Sequence, residues 1–208
     1  MPSLIAASGS EDDILCRKAN VRRAALARRK GLSEAFRDEV SQRIASCADQ
    51  LELANGAIVS GFWPIRDEID PRPLLDRLRQ RRHTIALPVV TGKRELVFRQ
   101  YDPESLMVEA GFGTLAPGPE APEVLPDVLL VPLAAFDGAG RRIGYGKGFY
   151  DNAIKTLQLR KPVRCIGLAF ATQEVETVPA EPHDKTLDAI VTENGYQLFP
   201  SDLEAQVQ

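Results

Sequence analysis

Residues 127–154, DVLLVPLAAFDGAGRRIGYGKGFYDNAI, run without interruption from an apolar segment through a glycine-rich stretch into an amphipathic one. VLLVPLAAF is rich in Val and Leu and does not alternate, which predicts a strand covered on both faces, as in a parallel sheet. Pro132 offers no backbone donor, so regular pairing is expected to stop there and the chain to turn irregular. FYDNAIKTL, from Phe149, predicts a helix behind the glycines.

Outward from this unit, AIVSGFW (57–63), TIALP (84–88), ELVFRQY (95–101), VRCIGLAF (163–170) and LDAIVTE (187–193) read as further strands. A helix is expected over about 12–30. A second opens with Ser33 as N-cap and Glu34 in the first turn, and its stripe Phe36, Val40, Ile44, Ala48, Leu51 recurs at nearly helical spacing. A third is expected to be capped by Asp70, with Pro71 at its first position and Leu74, Leu75 and Leu78 facing the core. The segment GFGTLAPGPEAPEVLP (111–126) reads as an irregular loop. Helices alternating with unalternating apolar strands predict an α/β fold: a three-layer, open, mostly parallel sheet flanked by helices, with sites beyond the carboxyl ends of strands. Residues 1–10 are expected to be a disordered leader, 11–200 a single domain and 201–208 a flexible tail.

The chain has 208 residues, 44% hydrophobic and 26% charged, the balance of an ordinary globular protein. Its longest apolar run is about half of what a membrane-spanning helix requires, and no basic region leads into an apolar stretch at the N-terminus. A cytoplasmic protein with no membrane partner is expected. Cys16, Cys47 and Cys165 show no CxxC spacing, and with His83 and His183 they give little material for a transition-metal site. Residues 17–30, RKANVRRAALARRK, hold seven Lys or Arg and no acid, but the sequence pI near 5.5 argues against a nucleic-acid partner. The bland reading of that helix is a solvated face; the functional ones are a local anion site or, through Arg28, Arg29 and Lys30, a nucleic-acid contact.

Gly144, Gly146 and Gly148 stand at alternate positions with Lys147 between the last two. Glycine allows backbone N–H groups to converge on one concavity, and the helix N-terminus behind them adds a positive dipole. The pattern fits neither the Walker loop nor the dinucleotide fingerprint, so on its own it reads as a phosphate cradle or as a flexible connection. Asp151 is suited to magnesium, and equally to the first turn of a helix. Lys18 and Arg22, at i and i+4, share a helix face and suit a phosphate clamp. Trp63 near Glu68 offers an aromatic plane beside a carboxylate, a platform for a flat heterocycle with N–H donors; taken singly, they read as a core aromatic and a surface acid.

In order along the chain, K-x-x-x-R at 18–22 followed by Leu32-Ser33, DEID at 67–70, LP at 87–88, VPLAAFDGAGRRIGYGKGFYD at 131–151 and HDKTLDAIVTE at 183–193 resemble the 5-formyltetrahydrofolate cyclo-ligase family, also called 5,10-methenyltetrahydrofolate synthetase. The resemblance spans about residues 15–195. It implies conversion of 5-formyltetrahydrofolate to 5,10-methenyltetrahydrofolate with ATP and Mg²⁺, releasing ADP and phosphate. It also implies a fold shaped like sugar-phosphate isomerases and CoA transferases (NagB/RpiA-like), acting as a monomer or weak homodimer. By position, Lys18 and Arg22 should bind ATP phosphates. Arg142, Ile143, Gly144, Tyr145, Gly146, Lys147, Gly148, Phe149 and Tyr150 should wrap the nucleotide, with Lys147 and Arg142 catalytic. Asp151 and Asp188 become the magnesium carboxylates, and Trp63, Glu68, Tyr145, Phe149 and Tyr150 the folate contacts. The chain departs from many relatives in GTLAP (113–117), where Ala116 replaces an acid, at Lys147 in place of a glycine, and at Asn152 in place of arginine. The altered GTLAP loop motivates the alternative of a non-catalytic folate or nucleotide sensor.

Overall fold

A computed structural model describes residues 11–111, 113–181 and 184–200, with Glu11 and Asp12 as backbone only. The expected leader 1–10, the tail 201–208 and His183 lie outside the described residues.

Helix α1 covers Glu11–Lys30 and α2 Glu34–Ala45; the Ser33 hydroxyl accepts from the Phe36 amide at 3.2 Å, the cap its sequence predicts. Strand β1 is Ile58–Ser60, and α3 is Arg72–Gln80. The third helix therefore starts later than expected. Pro71 itself has helical backbone, φ −78°, and occupies the cap position, while the Asp70 carboxylate accepts from the Arg72 amide at 2.9 Å. Strand β2 runs Thr84–Gly92, well past TIALP, because a turn at Lys93 and Arg94 folds it directly onto β3, Glu95–Gln100.

The segment expected to be irregular is partly ordered. Leu115–Pro117 forms strand β5, antiparallel to β4, Met107–Glu109, and Ala116 is fully buried there. Strand β6 is Val128–Pro132, and its ladder does end at Pro132, paired with Leu168. A small hairpin follows, β7 Ala135–Phe136 with β8 Arg142–Ile143, so these two loop residues are strand. Helix α4, Phe149–Gln158, leads to β9, Arg164–Leu168, then β10, Ala189–Thr192, and β11, Gly195–Leu198.

Seven strands form one sheet in the order β11-β10-β9-β6-β1-β2-β3. The inner five are parallel and both edges antiparallel. From β1 the chain steps to β2 on one side and then returns to β6 on the other. That reversal leaves a crevice beyond the carboxyl ends of β1 and β6, where α/β sheets bind ligands. The unalternating run of β6 is explained by its two covers. Val128 and Leu130 pack with Ile44, Leu74 and Leu78 of α2 and α3, whereas Leu129 and Val131 pack with Ala153, Ile154 and Leu157 of α4. Helix α1 lies apart from both, its Ala25 clustered with Ala135, Ile143 and Val178. Among the described residues no helix is long and apolar enough to cross a membrane.

Candidate active site

A cavity of about 1280 Å³ opens at the crevice, with Trp63 and Glu68 from the loop after β1, Pro132 from the end of β6 and the whole segment Arg142–Asp151 in its wall. Lys18 and Arg22 reach it from α1. Fourteen of the fifteen residues expected from sequence thus line one space; Asp188 does not. It immediately precedes β10, at the amino end of the parallel strands, and its carboxylate accepts from the Cys165 amide at 2.6 Å. Burial and this neighbouring carboxylate push the Cys165 thiol up to about 12. Asp188 thus braces β9 through its carboxylate and is not among the residues that line the cavity with Asp151.

One end of the cavity is built for an anion. Arg22 Nε donates to the Gly144 carbonyl at 2.7 Å, and burial lowers the Arg22 pKa from its ordinary value. Gly146 has φ +86°, and a Cβ there would meet the Arg22 guanidinium at 3.4 Å. Gly148, in left-handed conformation with φ +69°, is the N-cap of α4 and has no side chain to satisfy the helix's first amides. Those donors, at the positive end of the helix, suit phosphate oxygens.

Lys18 is differently engaged from what the clamp reading expects: its ammonium meets Glu181 at 2.7 Å and Asp184 at 2.5 Å. Burial works against its charge, but the two carboxylates outweigh it and raise the Lys18 pKa. Arg142 is almost fully buried and donates to the Lys185 carbonyl and, at 2.8 Å, to Asp151 Oδ1. Among the described residues no group of three or more His, Cys, Asp or Glu side chains is placed to hold a metal. Magnesium, however, commonly takes only one or two carboxylates and completes its shell with phosphate oxygens and water. Asp151, which lines the cavity in the first turn of α4, supplies one such carboxylate.

At the other end, Glu68 is only 9% exposed and accepts from the Ile65 amide at 2.9 Å. Burial raises its pKa, against the hydrogen bond from the Tyr145 hydroxyl and the charge of Arg29. Burial and the Glu68 carboxylate likewise push the Tyr145 and Tyr150 hydroxyls above their ordinary range. The Tyr150 hydroxyl is buried in the wall without a partner among the described residues. Trp63 lies beneath the Arg72 guanidinium, 5.1 Å from ring centroid to Cζ, and Arg72 is itself held by Asp70 at 2.7 Å.

The sequence reading missed Arg29, Asp67, Glu181 and Asp184. Arg29 was weighed as a nucleic-acid contact, yet it is 3% exposed and paired with Asp67, while Arg28 donates to the Thr172 carbonyl at 2.7 Å. A signal for Arg29 existed: it follows Arg22 by seven residues, two helical turns, and so shares its face. Asn152 Nδ2 donates to the Arg94 carbonyl at 2.8 Å, which ties α4 to the β2–β3 turn and gives that departure a structural use.

The 5-formyltetrahydrofolate cyclo-ligase family matches residues 15–193. The chain is 33% identical over 172 residues to 5-formyltetrahydrofolate cyclo-ligase of Escherichia coli (strain K12), covering 79% of this chain and 94% of that one. It is 34% identical over 154 residues to the Haemophilus influenzae protein of the same name, covering 71% and 80%. The solution structure of Aquifex aeolicus 5,10-methenyltetrahydrofolate synthetase superposes with a TM-score of 0.75 at 29% identity, covering 88% of this chain and 93% of that chain. The chain belongs to the 5-formyltetrahydrofolate cyclo-ligase family.

Proposed function

We propose, from this family membership, that the cavity carries out the ATP-dependent cyclisation of 5-formyltetrahydrofolate to 5,10-methenyltetrahydrofolate with its own residues in the following roles. The formyl oxygen is a poor leaving group. Transfer of the γ-phosphoryl group onto it forms a C–O–P linkage and an N5 iminium carbon, and ADP departs. The neighbouring N10 then attacks that carbon within the same molecule, its proton is lost, and the C–O bond breaks to release phosphate.

Arg22, Lys18, the α4 amides and the glycine backbone hold the triphosphate. Arg142 and Lys147 face the charge that develops during transfer. Asp151 would hold Mg²⁺, which when bound would supply further neutralisation there. Glu68 accepts N–H donors of the folate, and Trp63, Phe149 and Tyr150 flank its ring, with Tyr145 contributing to both ends. The single observation that carries this reading is that a cationic, glycine-lined end and an aromatic, carboxylate-bearing end share one cavity.

The cyclo-ligase domain is residues 11–200, acting as a monomer or weak homodimer. The three-layer sheet supports the finer likeness to sugar-phosphate isomerases and CoA transferases. Use of ATP, with three unpaired cysteines, supports a cytoplasmic setting. The test is the near-ultraviolet absorbance of the conjugated methenyl product on mixing protein, 5-formyltetrahydrofolate, ATP and Mg²⁺. The band should vanish when any one is omitted; binding by calorimetry with no band and no ADP release would favour a sensor instead.

A further inference from the structure

The most densely paired group in the cavity wall is one that the phosphoryl-transfer chemistry does not use. Arg29 Nε and Nη2 donate to the two oxygens of Asp67, at 3.2 and 3.0 Å, and Nη1 donates to the Tyr145 hydroxyl at 2.6 Å. A guanidinium can only donate. The Tyr145 oxygen is therefore the acceptor in that bond, and its one proton is left for the Glu68 carboxylate, with which it is hydrogen-bonded. Glu68 in turn receives Tyr145 and the Ile65 amide, and it lines the cavity.

We infer that Arg29 is a positioning residue for the folate end of the site: clamped by Asp67, it fixes the Tyr145 hydroxyl as a one-way donor that keeps Glu68 an acceptor toward the cavity. The inference rests on the reading of Glu68 as the folate-contacting carboxylate. Without the cation, the Tyr145 oxygen is free to accept as well as to donate, so it can pair with Glu68 in either protonation state. Glu68 would then take up a proton more readily and present an O–H where the ligand needs a lone pair.

The groups that face Glu68 set the sign. Asp67, on its own loop, opposes ionisation; Arg29 from α1 and Tyr145 from the glycine loop favour it. Tyr150, from α4, carries a neutral hydroxyl at neutral pH, and Arg37 of α2 acts on Asp67. Removing Arg29 deletes the favourable charge and leaves Asp67 unpaired, so both changes move Glu68 the same way, toward protonation.

The experiment is a titration of 5-formyltetrahydrofolate without ATP, followed by the fluorescence of Trp63, the chain's one tryptophan, from pH 5 to 9. For Arg29→Gln the acidic limb of affinity should move up by about one pH unit, the size of one close charge, with affinity near wild type on the alkaline side. KM for ATP should stay within about twofold, well under the tenfold that 1.4 kcal/mol represents. Tyr145→Phe removes the hydroxyl but leaves the Arg29–Asp67 pair, and should shift the limb in the same direction; it serves if Arg29→Gln fails to fold. Arg29→Lys keeps the charge and should shift it less. A uniform loss of affinity at every pH, together with a change in ATP KM, would make Arg29 a helix pin and overturn the inference. Glu68→Gln separates the two readings. If it weakens folate binding while the limb stays put in Arg29→Gln and Tyr145→Phe, the inference fails alone; if it leaves folate binding unchanged, both fail.

Discussion

Arg22 Nε donates to the Gly144 carbonyl at 2.7 Å, a bond that joins residues 122 apart and fastens the first helix to the glycine segment. The same side chain therefore brings its charge to the cavity wall and shapes the loop beside it. Arg22→Gln removes both and should raise KM for ATP by tenfold or more, consistent with about 1.5–3 kcal/mol for a hydrogen bond to a charged group. Arg22→Lys should fall between. Steady-state kinetics with ATP varied check this, and an unchanged ATP KM in Arg22→Gln would exclude the role.

Gly146 carries the strain of that loop, with φ +86° and the Arg22 guanidinium 3.4 Å from where a Cβ would stand. Gly146→Ala costs about 1–2 kcal/mol of local conformational energy. The loss should appear as weaker ATP binding by calorimetry, with the folate affinity within about twofold, because 1.4 kcal/mol at one site is tenfold there and need not spread.

Lys147 lies on the exposed side of the loop and lines the cavity. If it serves the transferring phosphoryl group, Lys147→Ala should lower kcat by roughly 10²-fold, the scale for losing one electrostatic stabiliser, with little change in folate affinity. Turnover equal to wild type would remove it from the chemistry.

Asp151 and Asp188 are predicted to separate cleanly. Asp151→Asn should shift the Mg²⁺ titration of activity to higher concentration. Asp188→Ala should leave that titration unmoved and lower the melting temperature instead, because the Cys165 amide loses its 2.6 Å acceptor, a cost of about 1–3 kcal/mol if the amide stays buried. The reverse pattern would return Asp188 to the metal.

Acid stability should depend on Asp127. Burial alone would raise its pKa, but Lys161 at 2.6 Å and the Ile58 amide at 2.8 Å hold it below the ordinary carboxylate range. A depressed pKa stabilises the fold above the unfolded value, about 3.9, and that contribution is lost as pH falls through the folded pKa. Wild type should therefore be more stable than Asp127→Asn at pH 6, and the difference should close below about pH 4, as denaturant unfolding at several pH values will show.

The parts legible from sequence are those whose cause is local. Ser33 announces α2 through its own hydroxyl, Pro132 stops β6 through its own missing donor, and Val128 to Val131 report two covers by failing to alternate. Strand β5 escaped because Leu115-Ala116-Pro117 is too short and proline-flanked to carry a period, and only its pairing with Met107–Glu109 defines it. The resemblance brought the glycine segment, Lys18, Arg22, Trp63 and Glu68 to one site. It could not reveal that Lys18 would meet Glu181, a partner 163 residues away, or that Arg29 would be buried against Asp67, because ion pairing across folded elements leaves no spacing to read. The bond of Asp188 to the Cys165 amide was hidden for a related reason: a carboxylate one residue ahead of a strand serves a neighbouring amide as readily as a metal.

The two carboxylates around Lys18 mean that nucleotide does not enter a bare basic hole. Before any ligand arrives, the Lys18 ammonium already faces Glu181 and Asp184. Binding there is an exchange of partners, in which an incoming anion must satisfy Lys18 better than the carboxylates do while tolerating their presence. Orthophosphate and sulfate, with few oxygens and no cation of their own, compete poorly in such an exchange. A triphosphate bound as proposed, across Arg22 and the α4 amides, would gain enough elsewhere to displace them. If Lys18 serves the nucleotide, the acidic pair would act as a filter against small anions.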